Sequence, residues 1–204
     1  MSAIRLGTRA STLATTQSEM VARLLRSEGL DVDLTTITTH GDTSTASLAA
    51  MGGIGVFASA IRATLLKGEA DIAVHSFKDL PTGRPLGLAI GAVPARADPR
   101  DALVARDGLT LHDLPQEASV GTGSPRRAAQ LLAVRPDLTI VDIRGNVDTR
   151  LGRVKGLGRY AKNGGKEDLD AVVLAASGLA RLGHSGAVTE FLDPSVVLLS
   201  LIHI

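Results

Sequence analysis

Four short segments of the sequence combine arginine or lysine with hydroxyl side chains, and each follows an apolar, strand-like run. We expect these segments at strand-to-helix junctions, where free backbone N–H groups bind anions. Guanidinium groups bind carboxylate or phosphate through two parallel hydrogen bonds. The pattern therefore predicts a ligand with several anionic groups. The four segments are residues 7–11 (GTRAS), 74–81 (VHSFKDLP), 121–127 (GTGSPRR) and 143–150 (IRGNVDTR).

The third segment carries two arginines where a helix does not favour them. Ser124 is a typical N-cap residue and Pro125 a typical first helical residue. Arg126 and Arg127 would then lie in the first helical turn. Cations there oppose the helix dipole, and a bound anion would reverse that cost. The segment therefore indicates an anion site at the start of a helix.

The other segments add further charged groups. Asn146 is a candidate helix cap between Arg144 and Arg150, and Asp79 is a carboxylate beside Lys78. A lone carboxylate in a basic pocket can assist proton transfer or stabilise a cationic intermediate. Taken singly, each feature has an ordinary explanation as a surface ion pair, a turn or a solvated helix end. Their joint occurrence in both halves of the chain favours a functional site.

The composition excludes several classes of function. A formal net charge of +1 and an aromatic content of 2% argue against nucleic-acid binding. The sequence has no cysteine, and its five histidines lack metal-ligand spacing, so we expect no metal and a structural role for His75. No apolar run reaches the roughly 18 residues of a membrane span, and the N-terminus lacks a signal-peptide core. We therefore expect a cytoplasmic protein with no membrane contact.

Apolar runs alternate with amphipathic stretches, which predicts an α/β fold with mixed, mostly parallel sheets flanked by helices. A charged stretch with two prolines, residues 94–100, indicates the crossover between two domains, residues 1–95 and 100–189. One helix is predicted from a cap at Ser11 or Thr12 to an end at Gly29. Further helices are predicted at residues 57–67 and 128–134. Strands are predicted at residues 3–6, 32–39, 71–74, 86–93, 102–105, 138–143 and 171–175.

Several segments resemble, in order, the signatures of the porphobilinogen deaminases. They are residues 5–11 (RLGTRAS), 74–82 (VHSFKDLPT), 98–104 (DPRDALV), 120–131 (VGTGSPRRAAQL), 135–138 (RPDL), 144–151 (RGNVDTRL) and 174–183 (LAASGLARLG). The resemblance runs from about residue 4 to about residue 194. It implies two domains similar to periplasmic binding proteins, which enclose an active-site cleft.

The resemblance also implies a function in porphyrin and haem biosynthesis. Family enzymes are transferases that join porphobilinogen units, with release of ammonia, into the linear tetrapyrrole hydroxymethylbilane. They use a dipyrromethane cofactor bound to a cysteine of a third domain. Asp79 would be the catalytic group that stabilises the positive charge formed as ammonia leaves. The residues implied to bind cofactor and substrate are Arg9, Ser11, Ser76, Lys78, Thr122, Ser124, Arg126, Arg127, Arg144, Gly145, Arg150 and Arg181.

The sequence departs from the family pattern in two places. Ile54 stands in a glycine-rich loop where some members have lysine. After Pro194 the family's continuation is replaced by an apolar tail that ends at Ile204, so the third domain and its cysteine are missing. We therefore expect a truncated chain with non-native sequence in its tail and little turnover on its own. The family pattern also allows residues from about 190 to 204 to return to the first domain.

Two alternatives to an active enzyme stay open at this point. Two α/β lobes with an arginine-lined cleft would also suit a non-catalytic receptor for anions or amino acids, and the chain could be an inactive fragment of the enzyme. The missing signal peptide counts against a receptor, and Asp79 beside Lys78 favours chemistry. We expect a monomer that binds porphobilinogen.

Overall fold

The protein is described by a computed structural model that covers residues 2–37, 58–83 and 85–195. It divides into two compact units, and the boundary lies between Ala95 and Arg96. This boundary falls inside the charged stretch with two prolines. Each unit has its own sheet and its own apolar core.

The first unit contains a small parallel sheet and two helices. Its elements are β1 (Ile4–Arg9), α1 (Thr12–Ser27), β2 (Val32–Ile37), α2 (Ser59–Leu66) and β3 (Ile72–Ala73). The strands lie in the order β2-β1-β3, and both pairings are parallel. A short 3₁₀ turn, Phe77–Asp79, follows β3. The carboxyl ends of β1 and β3 therefore lead directly into the first two of the basic segments.

Helix α1 begins and ends at the residues that the sequence predicts. Ser11 Oγ accepts a hydrogen bond from the Ala14 N–H at 3.4 Å, which caps the helix. After the last turn, Gly29 takes a φ of +81°, a left-handed conformation that favours glycine. Ala22 on this helix is fully buried against Leu6 of β1. The N-terminus of α1 is thus fixed beside Arg9.

The second unit is built on a five-stranded mixed sheet. Its elements are β4 (Asp101–Ala105), β5 (Ser119–Gly121), α3 (Pro125–Val134), β6 (Thr139–Val141), α4 (Val147–Leu151), β7 (Ala171–Ala175), α5 (Ala176–Arg181) and β8 (Glu190–Phe191). The strands lie in the order β6-β5-β7-β4-β8. The pairs β6-β5 and β5-β7 are parallel, whereas β4 runs antiparallel to both of its neighbours.

The core of the second unit lies on both faces of this sheet. Val173 of β7 packs in a cluster with Leu131 of α3 on one face. Val172, the next residue, packs with Leu179 of α5 on the other face. All four side chains are essentially buried, and each stabilises the fold by roughly 2 kcal/mol. Burial on both faces explains why the sequence of β7 is continuously apolar.

The predicted α/β class with mixed, mostly parallel sheets flanked by helices is confirmed, because four of the six strand pairs are parallel. The strand predicted at residues 86–93 is wrong. These residues form no strand, and the side chains of Leu86, Ile90 and Val93 are 96%, 61% and 64% exposed. The described part of the first sheet ends at β3, so this apolar run has no neighbouring strand there. Apolar composition alone therefore misled the prediction.

The end of the described chain belongs to the second unit. β8 pairs with β4, with Phe191 opposite Ala102, so residues 190–195 lie in this unit rather than in the first. Residues 196–204, the rest of the tail, are outside the described residues. Neither α5 nor β8 was predicted from the sequence, since both are short. Within the described ranges, none of the helices has the length and apolar character needed to cross a membrane.

Candidate functional site

Two loops of the second unit, β5–α3 and β6–α4, are held closely together. The Thr122 N–H donates a hydrogen bond to the Val141 carbonyl at 3.0 Å. A Cβ atom at Gly123 would lie only 2.7 Å from the carbonyl oxygen of Ile143, so only glycine fits there without movement. This close approach brings the basic segments 121–127 and 143–150 together at the carboxyl ends of β5 and β6.

The start of α3 has the cap that the sequence predicts. Ser124 Oγ accepts a hydrogen bond from the Arg127 N–H at 3.4 Å, and Pro125 is the first helical residue. Thr122 is buried, and its Oγ1 accepts a hydrogen bond from the Ser124 N–H at 3.2 Å. Arg126 and Arg127 therefore lie in the first turn, and the side chain of Arg126 is exposed.

Arg127 is held in a bidentate ion pair with Asp101 at the start of β4. Its Nε and Nη2 donate to the two carboxylate oxygens at 2.7 and 2.6 Å. The side chains of Arg127 and Asp101 are only 12% and 6% exposed. Each charge is therefore neutralised by its partner in a place with little access to water. Nη1 of Arg127 takes no part in this pair.

Arg144 lies in the β6–α4 loop and Arg150 in α4, and neither forms an ion pair with a carboxylate of the described residues. Within the described residues, Nη1 of Arg144 is buried without a hydrogen-bond partner. Nε of Arg150 donates to the Gly145 carbonyl at 2.9 Å, and Gly145 has a φ of +100°. Asn146 caps α4, since its Oδ1 accepts a hydrogen bond from the Thr149 N–H at 2.8 Å. Residues 143–150, which we call the arginine loop, therefore hold cationic groups whose hydrogen-bonding capacity is not used up.

The charges around Arg150 repel one another. Burial lowers the pKa of the Arg150 guanidinium, and the positive charges of Arg127 and Arg144 lower it further. Asp142 acts in the opposite direction but does not outweigh them. The guanidinium remains charged at pH 7, as arginine side chains in proteins do. Cations kept together in a half-buried loop indicate an anionic ligand, which would remove the repulsion.

Arg181 lies in the last turn of α5. It is half-buried, and that burial lowers the pKa of its guanidinium. Among the described residues, no hydrogen bond or ion pair joins it to Arg144 or Arg150. Among these residues, no group of three or more carboxylate or histidine side chains could hold a metal ion.

The first unit has a second basic site in a small pocket at the carboxyl ends of β1 and β3. The pocket is lined by side chains from the two basic segments of this unit, among them Arg9, Ser11, His75, Ser76 and Asp79. Three predicted binding residues, Arg9, Ser11 and Ser76, and the predicted catalytic carboxylate of Asp79 thus line one pocket.

The electrostatics of this pocket depend on His75. Burial lowers the pKa of the His75 imidazole, and the nearby charges of Arg62 and Arg9 lower it as well, whereas Asp79 raises it. The imidazole is therefore neutral at pH 7 and can donate one hydrogen bond and accept another. A neutral histidine leaves Asp79 as the charged group most suited to stabilise positive charge in this pocket.

The hydroxyl groups of the pocket already have partners in the protein. Ser76 Oγ donates to Oε1 of Gln17 at 2.9 Å, and Ser11 Oγ caps α1. Lys78 lies in the 3₁₀ turn Phe77–Asp79 and is exposed. The departure noted at Ile54 lies outside the described residues.

Sequence reasoning missed the residues that organise the two sites. Asp101, Asp142 and Gln17 pair with or face predicted site residues, and none of them was singled out. The position of Asp101 could have been noticed, because it is the first residue of a strand that is buried along its whole length. A carboxylate at such a position needs a cation as its partner. Its partner Arg127 is 26 residues away, and the sequence alone does not reveal that pairing.

Comparison with models of protein families shows to which family the chain is related. The family model described as "Porphobilinogen deaminase, dipyromethane cofactor binding domain" matches residues 4–202. The chain belongs to the porphobilinogen deaminase family. Its predicted membership, drawn from seven sequence segments, is therefore confirmed.

Individual family members are similar over almost the whole chain. The porphobilinogen deaminase of Cutibacterium acnes is 98% identical over 198 residues, covering 97% of this chain and 59% of that protein. The enzymes of Micrococcus luteus and Leifsonia xyli subsp. xyli are both 58% identical, covering 97% and 96% of this chain and 54% and 56% of theirs. The chain thus spans somewhat more than half the length of these curated relatives.

Among solved structures, a lipoprotein of the YaeC family from Enterococcus faecalis V583 overlaps this chain loosely. The TM-score is 0.38 and the sequence identity 10%, with 95% of this chain and 79% of that chain covered. The porphobilinogen deaminase relationship therefore stands on the family model and the sequence relatives.

Proposed function

We propose that this chain binds porphobilinogen and a dipyrromethane cofactor through their carboxylates, as part of a hydroxymethylbilane synthase. The reaction transfers porphobilinogen units to a growing linear tetrapyrrole, with release of ammonia at each step. Membership of the porphobilinogen deaminase family supports this proposal. Because the chain covers 59% of the Cutibacterium acnes relative, the complete reaction is proposed for the protein that contains this sequence.

The observation that carries the proposal is the buried Nη1 of Arg144, which has no partner in the described chain. Burial lowers the pKa of the neighbouring Arg150, and the like charges of Arg127 and Arg144 lower it further. Porphobilinogen bears an acetate and a propionate group. Each carboxylate can accept two parallel hydrogen bonds from one guanidinium. Binding of such a ligand would satisfy the orphaned donor and relieve the repulsion at the same time.

The donor set also fits the dipyrromethane cofactor, which is a polycarboxylate. Arg144, Arg150, Arg126 and the unused Nη1 of Arg127 would hold its carboxylates. When bound, the group supplies the pyrrole to which new units are attached. The protein side chains contribute by binding and orienting it, and Thr122 and Ser124 keep the helix start in place beneath the arginines.

Asp79 is the proposed catalytic residue. When the carbon–nitrogen bond of the protonated aminomethyl group breaks, the electron pair leaves with ammonia, and the positive charge passes to the pyrrole. A carboxylate stabilises that charge if it lies beside the ring nitrogen. Asp79 is half-buried, and it lines a pocket with Arg9 and the neutral His75. Arg9 would bind a substrate carboxylate in the same pocket.

The competing function is a non-catalytic receptor for anions or amino acids, and the family relationship favours the enzyme over it. The Asp79→Asn change, made at the equivalent residue of the longer Cutibacterium acnes relative, separates the two. We expect kcat to fall by about 100-fold or more, because the amide cannot stabilise the cation. The affinity for porphobilinogen should change by less than about threefold, since Asp79 repels carboxylates rather than binding them.

A suitable control is Asp71→Asn, which alters an exposed ion pair with Arg5 in the same unit. This variant should keep full turnover. An Asp79→Asn enzyme with unchanged kcat would contradict the proposed role. A relative without any turnover of porphobilinogen would instead favour the receptor.

The remaining sequence-based expectations stay predictions. They are a cytoplasmic location, a monomeric state and a lack of contact with nucleic acid or membranes. The monomer is tested directly by light scattering of the purified chain, which should give its calculated mass of 21.1 kDa.

A further inference from the structure

A short side-chain contact at α4 connects the arginine loop to another part of the second unit. Nε2 of His184 lies 2.6 Å from Oδ1 of Asp148, which stands in the first turn of α4. His184 follows α5, 36 residues along the chain. Its ring also meets the Tyr160 ring edge-on, with 5.1 Å between the ring centres. The Asp148 carboxylate is thereby held by a side chain from outside its own loop.

The position of Asp148 gives this contact a consequence for ligand binding. Asp148 lies between Arg144 and Arg150 in sequence, on the same short helix as Arg150. The positive charge of these arginines is the means by which the proposed site binds a carboxylate. A neighbouring carboxylate that is free to turn toward them would neutralise that charge and compete with the ligand.

We propose that His184 is a positioning residue that keeps the Asp148 carboxylate away from Arg144 and Arg150, so that these arginines stay available to an anionic ligand. The inference rests on the proposed function of the arginine loop and adds to it a residue that contacts no ligand. It is supported by the short His184–Asp148 distance, by the half-buried state of both side chains and by the packing of His184 on Tyr160.

The test uses the 204-residue chain and three variants, His184→Phe, Asp148→Asn and the double variant. Phenylalanine keeps the ring contact with Tyr160 but removes the hydrogen bond. Calorimetric titration measures the affinity of each chain for porphobilinogen and for tricarballylate, a tricarboxylate without a pyrrole. We expect His184→Phe to weaken both ligands by about five- to tenfold, since the released carboxylate competes for the arginines.

The double variant is the decisive measurement. An asparagine at position 148 carries no charge and cannot neutralise an arginine, so the double variant should regain the affinity of the unmutated chain to within about twofold. A merely structural role of His184 would leave the double variant as weak as His184→Phe, and that result would overturn the inference. Unchanged affinity in His184→Phe would overturn it as well.

The two ligands separate this inference from the proposed function. The chain could fail to bind porphobilinogen while His184→Phe weakens tricarballylate binding and the double variant restores it. That result would support the positioning role and contradict the proposed substrate. Porphobilinogen binding that is insensitive to His184→Phe would contradict the positioning role alone. A chain that binds neither acid would contradict both.

Discussion

The arginines of the second unit have different partners, and this difference sets what each contributes. Arg127 shares a buried ion pair with Asp101, so its charge is matched within the protein. Arg150 has no ion-pair partner among the described residues, and burial together with two like charges lowers its pKa. Arg127 therefore stabilises the fold as well as the site, whereas Arg150 adds charge that Asp142 offsets only in part.

Substitution of the two arginines by methionine should separate these contributions. Arg127→Met leaves the buried Asp101 carboxylate without its cation, and the free energy of unfolding should fall by about 3 kcal/mol. Arg150→Met loses one hydrogen bond to a carbonyl but relieves repulsion, so its free energy of unfolding should change by less than about 1 kcal/mol. Urea denaturation at pH 7 measures both. Equal losses in the two variants would contradict the distinction.

At this scale the sequence predicts the types of the site residues but not their pairings. The cap at Ser124 and the arginines of the first turn of α3 follow from local rules, and the structure has them as predicted. The pairs Arg127–Asp101 and His184–Asp148 join residues 26 and 36 positions apart. Only the folded sheet brings these partners together, so local patterns cannot identify them.

Asp170 ties together several elements of the second unit, immediately before β7. Its carboxylate accepts hydrogen bonds from Arg106 after β4, from Lys155 and from Ser119 of β5, all at 2.8 to 2.9 Å. Burial alone would raise the pKa of Asp170, but these hydrogen bonds outweigh burial and hold it well below the ordinary value. The ends of β4, β5 and β7 are therefore joined through one charged side chain.

This arrangement predicts a pH-dependent effect of Asp170→Asn. Because the pKa of Asp170 is lower in the folded than in the unfolded chain, its stabilising contribution is complete above the unfolded pKa of about 4 and is lost as the pH falls below it. At pH 7 the variant should lose about 2–3 kcal/mol of unfolding free energy, and the difference from the unmutated chain should shrink toward pH 3. Denaturant titrations at both pH values measure this.

Asp168→Asn is the control for that experiment. Asp168 pairs with Arg153 nearby in the chain, but its side chain is 44% exposed against 11% for Asp170. A surface ion pair contributes less than about 1 kcal/mol, so this variant should stay close to the unmutated chain at every pH. A loss as large as that of Asp170→Asn would contradict the role assigned to Asp170.

The elements themselves were predictable where periodicity and caps agreed, as in α1 and α3. The strands β4 and β7 were predicted because burial on both faces makes them continuously apolar. Residues 86–93 have the same composition but no neighbouring strand in the described chain, and the sequence alone does not reveal that difference. The short elements α5 and β8 are fixed by their tertiary contacts rather than by a pattern of their own.

At the scale of the whole molecule, residues 86–93 place apolar side chains on the surface of the first unit. Ile90→Lys should therefore raise the solubility of the 204-residue chain and change its unfolding free energy by less than about 0.5 kcal/mol. Ile61→Lys, at a fully buried position of α2, is the contrasting variant and should prevent folding. Turbidity and thermal denaturation measure the two effects. A large loss of stability in Ile90→Lys would mean that Ile90 is packed in solution.

The claim that the arginine loop binds the carboxylates of a pyrrole is tested most directly by calorimetric titration of the 204-residue chain with porphobilinogen. The unmutated chain should bind, and Arg150→Met should weaken that binding by about tenfold or more, as expected for the loss of a charge-assisted bidentate contact. Arg153→Met, which removes an arginine already paired with Asp168, should bind like the unmutated chain. Equal binding by Arg150→Met and the unmutated chain would contradict the assignment of the site.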